Sequence, residues 1–349
     1  MRTLGSFIMQ LPLPNPIEFA RCLNLALIPF VLVGIVLGLP ACQMGFTGKQ
    51  AAITVGMEAT AVNSLIFIAQ DQGYFAANGL HVTIQQYPSG LAAVNGMLDG
   101  EVDLATASEF VIVGKAFAKE SIRTLGSIDK FMHNYLIGRK DRGIAAVADL
   151  AGKRIGLPLK TAAEFYLGRF LDLHGLALNQ VILVDTTPPQ LVAALVNGEV
   201  DAVLAWQPNA KSIEDRLGSG IVKWPAQNEQ ATFCNLITTA AWTTAHPELV
   251  ERFLKSLAQA EAYFIRHPTE AKAIIQDLLQ YDDEYMDTIW PEHQLQLSLD
   301  QSLILAAEDE ARWMIANQLT GETQVPDFLR YIDSKGLEAV KPKAVKIIR

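Results

Sequence analysis

Gly100-Glu101-Val102-Asp103 and Gly198-Glu199-Val200-Asp201 are the same four residues, about a hundred positions apart. Each copy follows an apolar-periodic segment with a Val-Asn pair, Val94-Asn95 in one and Val196-Asn197 in the other. Each runs into a short apolar stretch, Leu104-Ala105-Thr106-Ala107 or Ala202-Val203-Leu204-Ala205. The spacing predicts one helix–turn–strand unit used twice. The glycine takes the left-handed conformation that ends a helix, and the aspartate suits the turn into the strand. Helix–Gly–strand junctions occur in many α/β proteins, so the tetrapeptide alone leaves two readings open: a common junction, or two similar lobes with a cleft and a hinge.

The N-terminus bears on location. Leu25 to Leu39 is apolar, is interrupted by Pro29 and Gly34, and follows Arg21. It is shorter than the roughly 20 residues a membrane span needs and has the length of a secretory apolar region. It ends in Leu39-Pro40-Ala41-Cys42, which resembles a bacterial lipobox; the resemblance implies cleavage before Cys42 and lipidation of its thiol. Pro40 and Glu18 depart from the usual pattern, so an uncleaved N-terminal anchor stands as the alternative, and Met9 as an alternative start. Both readings place the rest of the chain outside the cytoplasm.

The whole chain has 28 basic and 37 acidic residues, net −9, and loss of residues 1–41 leaves 26 against 36, net −10. An acidic chain without a basic run lacks the electrostatic footprint of a nucleic-acid binder. About 300 residues after the signal can bury a sizeable core, and two lobes fit that length. Cys22 leaves with the signal and Cys42 would be lipidated, so Cys234 remains alone and forms no intrachain disulfide. It stands in Ala231-Thr232-Phe233-Cys234-Asn235-Leu236-Ile237, which reads as a strand, where a buried apolar role competes with that of a nucleophile.

The order β-α-β-α-β from Ala52 to Ala107 predicts parallel crossovers, and a second α/β series starts near Arg139. Thr161-Ala162-Ala163-Glu164 reads as a capping box. After Ile237 helices are expected to dominate, with His246-Pro247 and His267-Pro268 as helix starts and Phe328 to Leu337 as the last helix. The expected organisation is signal 1–41, tether 42–51, a first lobe of 52–138 plus 237–349, and a second lobe of 139–236. The hinge would then lie at about 136–142 and 228–238.

Taken in order, these residues resemble the extracytoplasmic solute-binding proteins of ABC importers, in the group that handles nitrate, sulfonates, taurine and thiamine-precursor pyrimidines. The resemblance rests on Gln72-Gly73-Tyr74-Phe75 with Asn78-Gly79-Leu80, and on Asn95-Gly96 with the first tetrapeptide. It continues through Asp149-Leu150-Ala151-Gly152-Lys153-Arg154-Ile155-Gly156, Leu195-Val196-Asn197-Gly198-Glu199-Val200-Asp201-Ala202, Trp206-Gln207-Pro208 and the two His-Pro starts. It implies the type II periplasmic-binding fold: two α/β lobes, each a mostly parallel sheet flanked by helices, with a helical C-terminal part. It also implies a monomer that captures a small molecule, shifts to a closed form and presents it to an ABC permease and its ATPase, with a lipid on Cys42 holding it at the membrane. No cofactor and no metal are implied.

Open α/β sheets bind ligands beyond the carboxyl ends of their strands, where helix N-termini converge. Those positions are Glu58, Thr60 and Asn63; Ser89; Ser108 and Glu109; Lys160 and Thr161; Asp185 and Thr186; and Trp206 and Gln207. Trp206 reads as core or as a cleft wall, and in the family this position stacks on the ligand. The family often has an acid where Gln207 stands. Thr161 is a helix cap that either also meets a ligand or does not, and Glu164 competes for the same helix end. Glu58 and Glu109 are solvated loop acids or cleft acids; as cleft acids they favour N–H donors or a cationic amine, while Lys160 would balance an anion. A sulfonate- or taurine-like zwitterion or an amino-heterocycle is therefore expected over bare nitrate. An enzyme of thiamine-precursor pyrimidine synthesis and a membrane-coupled ligand sensor are the alternatives. Against the enzyme stand the lone Cys234 and the lack of a Gly-x-Ser-x-Gly or His-Glu-x-x-His motif.

Overall fold

A computed structural model describes residues 48–227 and 230–348. The expected signal, Cys42 and most of the tether lie outside the described residues. Twelve strands are described: β1 (Ala51–Met57), β2 (Leu80–Gln86), β3 (Leu104–Ser108), β4 (Ile122–Phe131), β5 (Tyr135–Arg139), β6 (Arg154–Leu157), β7 (Ile182–Asp185), β8 (Ala202–Ala205), β9 (Ile221–Pro225), β10 (Thr232–Thr239), β11 (His293–Asp300) and β12 (Val345–Lys346). They form a seven-stranded sheet, ordered β12-β11-β4-β10-β3-β1-β2, and a five-stranded sheet, ordered β7-β6-β8-β5-β9.

The two copies of the tetrapeptide are built alike. Gly100 has φ +79° and Gly198 φ +74°, both left-handed. In the first copy Gly100 N–H donates to Met97 O and Glu101 N–H to Gly96 O; in the second Gly198 N–H donates to Leu195 O and Glu199 N–H to Ala194 O. These bonds satisfy the last carbonyls of helices Gly90–Leu98 and Pro188–Val196. The aspartate does more than form a turn. Asp103 Oδ2 accepts from Thr54 N at 2.7 Å and Asp201 Oδ2 from Arg154 N at 2.9 Å. In both lobes it therefore clamps the neighbouring parallel strand, β1 or β6.

Parallel pairing runs through β2-β1-β3, β11-β12 and β7-β6-β8. The strands beside the lobe crossings, β4 and β10 in one sheet and β5 and β9 in the other, pair antiparallel. The chain passes between sheets after β4 and again after β9, rather than at 138/139 and 236/237. β5, expected in the first lobe, pairs with β8 and β9; β10, expected in the second up to residue 236, pairs with β3 and β4. An apolar strand carries no local mark of the sheet it joins.

Gln227 ties the crossings together. Its Oε1 accepts from Asn134 N at 3.0 Å and Asn134 Nδ2 at 2.8 Å, and its Nε2 donates to Phe131 O at 3.3 Å and Thr232 Oγ1 at 3.0 Å.

The C-terminal part is less uniformly helical than expected. It contains β11, and the stretch expected as one last helix is a 3-10 turn, Phe328–Tyr331, followed by a helix, Lys335–Val340. His246 and His267 precede proline-led helices as expected. Among the described residues no helix is long and apolar enough to cross a membrane.

One apolar cluster spans both lobes. Phe165 and Tyr166 on the second-lobe helix Ala162–Leu173 are buried with Phe110 on helix Glu109–Phe117 and with Trp313 on helix Gln301–Ala316. A β-carbon on Gly168 would lie 2.2 Å from Trp313 Cζ2. Gly168→Ala is therefore expected to destabilise the protein by about 1–3 kcal/mol through overpacking. Thermal melting checks it, and an unchanged midpoint would show that the lobes separate without cost.

Candidate functional site

A cavity lies between the sheets. From the first lobe it is lined by Glu58 and Thr60 after β1, Ser89 and Gly90 after β2, Thr106 and Ser108 on β3, and Thr232 and Cys234 on β10. Thr161, Ala162 and Trp206 come from the second lobe, and Phe131, His133 and Asn134 from the end of β4 and the first crossing.

Three helix starts meet here. Ser89 precedes helix Gly90–Leu98, and its Oγ accepts from Ala92 N at 3.1 Å. Ser108 precedes helix Glu109–Phe117 and makes no side-chain cap bond. Thr161 precedes helix Ala162–Leu173; its Oγ1 accepts from Ala163 N at 3.3 Å and donates to Pro158 O at 2.7 Å. Glu164 reaches back one residue further than expected, accepting from Lys160 N at 2.8 Å. Gly90 brings its helix against β3: a β-carbon there would lie 2.8 Å from Ala107 Cα.

Glu58 is the acid of the cavity. It makes no ion pair with any described cation, and desolvation pushes its carboxyl up to about 8 from 4.5. At neutral pH it is largely protonated, with one O–H to give and lone pairs to accept. No lysine or arginine stands among the described residues that line the cavity. Rings line it instead: Trp206, and Phe131 stacked on His133 with centroids 4.3 Å apart.

Of the twelve expected site residues, Glu58, Thr60, Ser89, Ser108, Thr161 and Trp206 line this cavity, and six do not. Asn63 stands behind the wall, donating to Glu58 O at 2.9 Å and accepting from Cys234 Sγ at 3.6 Å. Glu109 turns away into the core, where its Oε2 accepts from Phe233 N at 2.9 Å. Lys160 is exposed. Asp185 accepts from Leu159 N at 3.1 Å, across to the segment after β6, and Thr186 donates to Val184 O two residues back at 3.0 Å. Gln207 accepts from Lys211 N at 3.2 Å and so serves the following helix, Asn209–Leu217. Phe131, His133, Asn134 and Thr232 were not anticipated. They belong to the crossings and their flanks, and a crossing is recognised only once the strands are assigned to sheets.

Residues 61–271 match the NMT1/THI5-like family. The chain belongs to that family. Two relatives show its range. The taurine-binding periplasmic protein of Escherichia coli K12 is 24% identical over 231 residues, 64% of this chain and 70% of that one. A Haemophilus influenzae protein named for thiamine biosynthesis is 26% identical over 249 residues, 69% of this chain and 76% of that one. Among solved structures, the alkanesulfonate-binding protein SsuA from Xanthomonas axonopodis pv. citri, bound to MOPS, superposes with a TM-score of 0.71 at 18% identity, covering 82% of this chain and 99% of that chain. That likeness establishes the two-lobed periplasmic-binding fold. The NMT1/THI5-like relatives named as binding proteins support a solute-binding role outside the cytoplasm.

Proposed function

We propose that this chain is a solute-binding protein that closes its lobes on a small planar amino-heterocycle and delivers it to an ABC importer. The observation that carries the ligand class is the combination in one cavity of an uncharged acid, Glu58, aromatic faces from Trp206 and Phe131, and no cationic side chain among the described lining residues. A bare anion would find no counter-charge there. A flat ring with an amino group finds two faces and a carboxyl able both to donate and to accept.

A taurine-like zwitterion is the second reading, favoured by the three helix starts at Ser89, Ser108 and Thr161, whose N–H groups and dipoles suit a sulfonate. In either reading a ligand that touches both lobes binds the closed form better and shifts the population toward it. Lipid attachment at Cys42, a monomeric state and recognition of the closed form by the permease complete the proposal.

Cys234 supports binding over catalysis. It is buried, burial pushes its thiol well above the usual range, and it donates to Asn63 Oδ1. The reactive thiolate is therefore scarce at neutral pH.

Thermal unfolding of the full chain in mild detergent tests the reading, with 4-amino-5-hydroxymethyl-2-methylpyrimidine, taurine, ethanesulfonate and nitrate as probes. A ligand at about 100 times its dissociation constant adds roughly 2.7 kcal/mol. The amino-heterocycle is expected to raise the midpoint and nitrate to leave it unchanged. A shift with nitrate alone would overturn the ligand assignment.

A further inference from the structure

His133 is 4% exposed and lines the ligand cavity, yet its ring makes no hydrogen bond with any described residue. Buried polar side chains with no partner are exceptions that call for a cause. The other polar groups around it are engaged: Asn134 with Gln227, Thr232 with Gln227 and Tyr166, and Cys234 with Asn63.

The ring is held in place without hydrogen bonds. It stacks on Phe131 with centroids 4.3 Å apart and meets the edge of His293 at 5.5 Å. His293 is occupied by Asp129, Nδ1 to Oδ2 at 2.5 Å, and so offers nothing through that nitrogen. Burial and the neighbouring His293 hold the His133 ring neutral, so one nitrogen carries a hydrogen and the other a lone pair. Nδ1 is the sealed nitrogen and has no partner. Buried donors left unpaired are rarer than under-satisfied acceptors, which places the hydrogen on Nε2. In a ring that lines the cavity, Nε2 is then the nitrogen a ligand reaches.

We propose that His133 is a ligand-contacting, specificity-determining residue whose Nε2–H donates a hydrogen bond to an acceptor atom of the solute. This rests on the solute-binding reading above and adds a second polar anchor to it. With Glu58 meeting an amino group and His133 a ring nitrogen, the cavity demands a donor and an acceptor on one small ring. Because His133 lies in the crossing segment between β4 and β5, the contact also ties the ligand to the strands that join the lobes.

Titration calorimetry of the full chain in mild detergent tests this with His133→Gln, His133→Asn and His133→Phe. The glutamine amide nitrogen reaches the place of Nε2, that of asparagine only the place of Nδ1, and phenylalanine keeps the stack on Phe131 without polar atoms. With 4-amino-5-hydroxymethyl-2-methylpyrimidine as probe, His133→Gln is expected to bind within about threefold of wild type, and His133→Asn and His133→Phe at least about tenfold more weakly. A carbocyclic probe that lacks the ring nitrogens, 2-aminobenzyl alcohol, is expected to bind wild type and His133→Phe equally.

Wild-type affinity in His133→Phe would overturn the assignment. An equal loss in the glutamine and phenylalanine variants would also overturn it, since the ring rather than Nε2 would then be what matters. Failure of wild type to bind this pyrimidine while it binds taurine would overturn the ring-nitrogen contact and leave solute binding intact. Failure to bind any probe would overturn the solute-binding reading and this inference with it.

Discussion

Trp206→Ala is expected to weaken ligand binding by about 2 kcal/mol, roughly 30-fold in Kd, while leaving the protein folded. Trp206 follows β8, is partly exposed and packs only against the margin of the second-lobe core. It lines the cavity together with residues contributed by the first lobe. A ligand stacked on that ring would lose most of its contact with the second lobe in the alanine variant, and with it part of the drive toward closure. Trp206→Phe retains a smaller face and should fall between the two. Calorimetric titration together with a melting curve separates the effects: lost affinity with a near-normal melt supports the wall, and equal affinity in the alanine variant removes Trp206 from the site.

The second large effect concerns stability. Glu109 and Glu310 are both 0% exposed. Glu109 Oε2 accepts from Phe233 N, while Glu109 Oε1 and both Glu310 oxygens have no partner outside the pair. Two adjacent carboxylates out of water cannot both ionise, so they share a proton. Burial pushes Glu109 up from 4.5 to about 8, and burial with the Glu109 charge raises Glu310 as well.

In the unfolded chain both acids lose their protons near their ordinary value, so between about 4.5 and 8 the folded state holds more protons than the unfolded one. Stability is therefore greatest at the acid end of that window, falls as pH rises through it, and has lost this contribution above about 8. Glu58 acts in the same direction. His133 acts in the opposite one, because burial lowers its affinity for a proton and stability falls once the unfolded histidine protonates below its ordinary value of 6.5. Glu310→Gln supplies an N–H to Glu109 in place of the shared proton. At pH 8 it should raise the midpoint by roughly 5 °C, with an effect that shrinks toward pH 5. A variant that melts like wild type at pH 8 would show that the pair is not strained there.

These two residues mark the boundary between local and non-local information. Ser108 and Glu109 are adjacent in sequence and were both expected in the cleft, yet only Ser108 lines the cavity. Ser108 closes β3 and Glu109 opens the helix. Successive helical side chains point about 100° apart, so the first turn rotates the acid toward Phe233 and Glu310. Ser89, Thr161 and Trp206 were legible because helix capping and strand ends are local chemistry. Gln207 and Asp185 were misplaced because each side chain found a nearby backbone N–H, an engagement that its position after a strand does not reveal. β11 was legible and unread: Gln294-Leu295-Gln296-Leu297-Ser298-Leu299 alternates with the period of a half-buried strand.

By itself the sequence determined the unit that the protein uses twice, because a left-handed glycine, a capping hydroxyl and a strand of small apolar residues act within a few positions of one another. Only the tertiary structure decided that β5 joins the second sheet and β10 the first, because the pairing partners of a strand are distant in the chain and its own side chains do not name them. That decision puts Phe131, His133 and Thr232 beside the cavity between the sheets, and it buries one acid while leaving another on the cavity wall. Burial and orientation set the charge and reach of a polar group, and both depend on what the rest of the fold places around it.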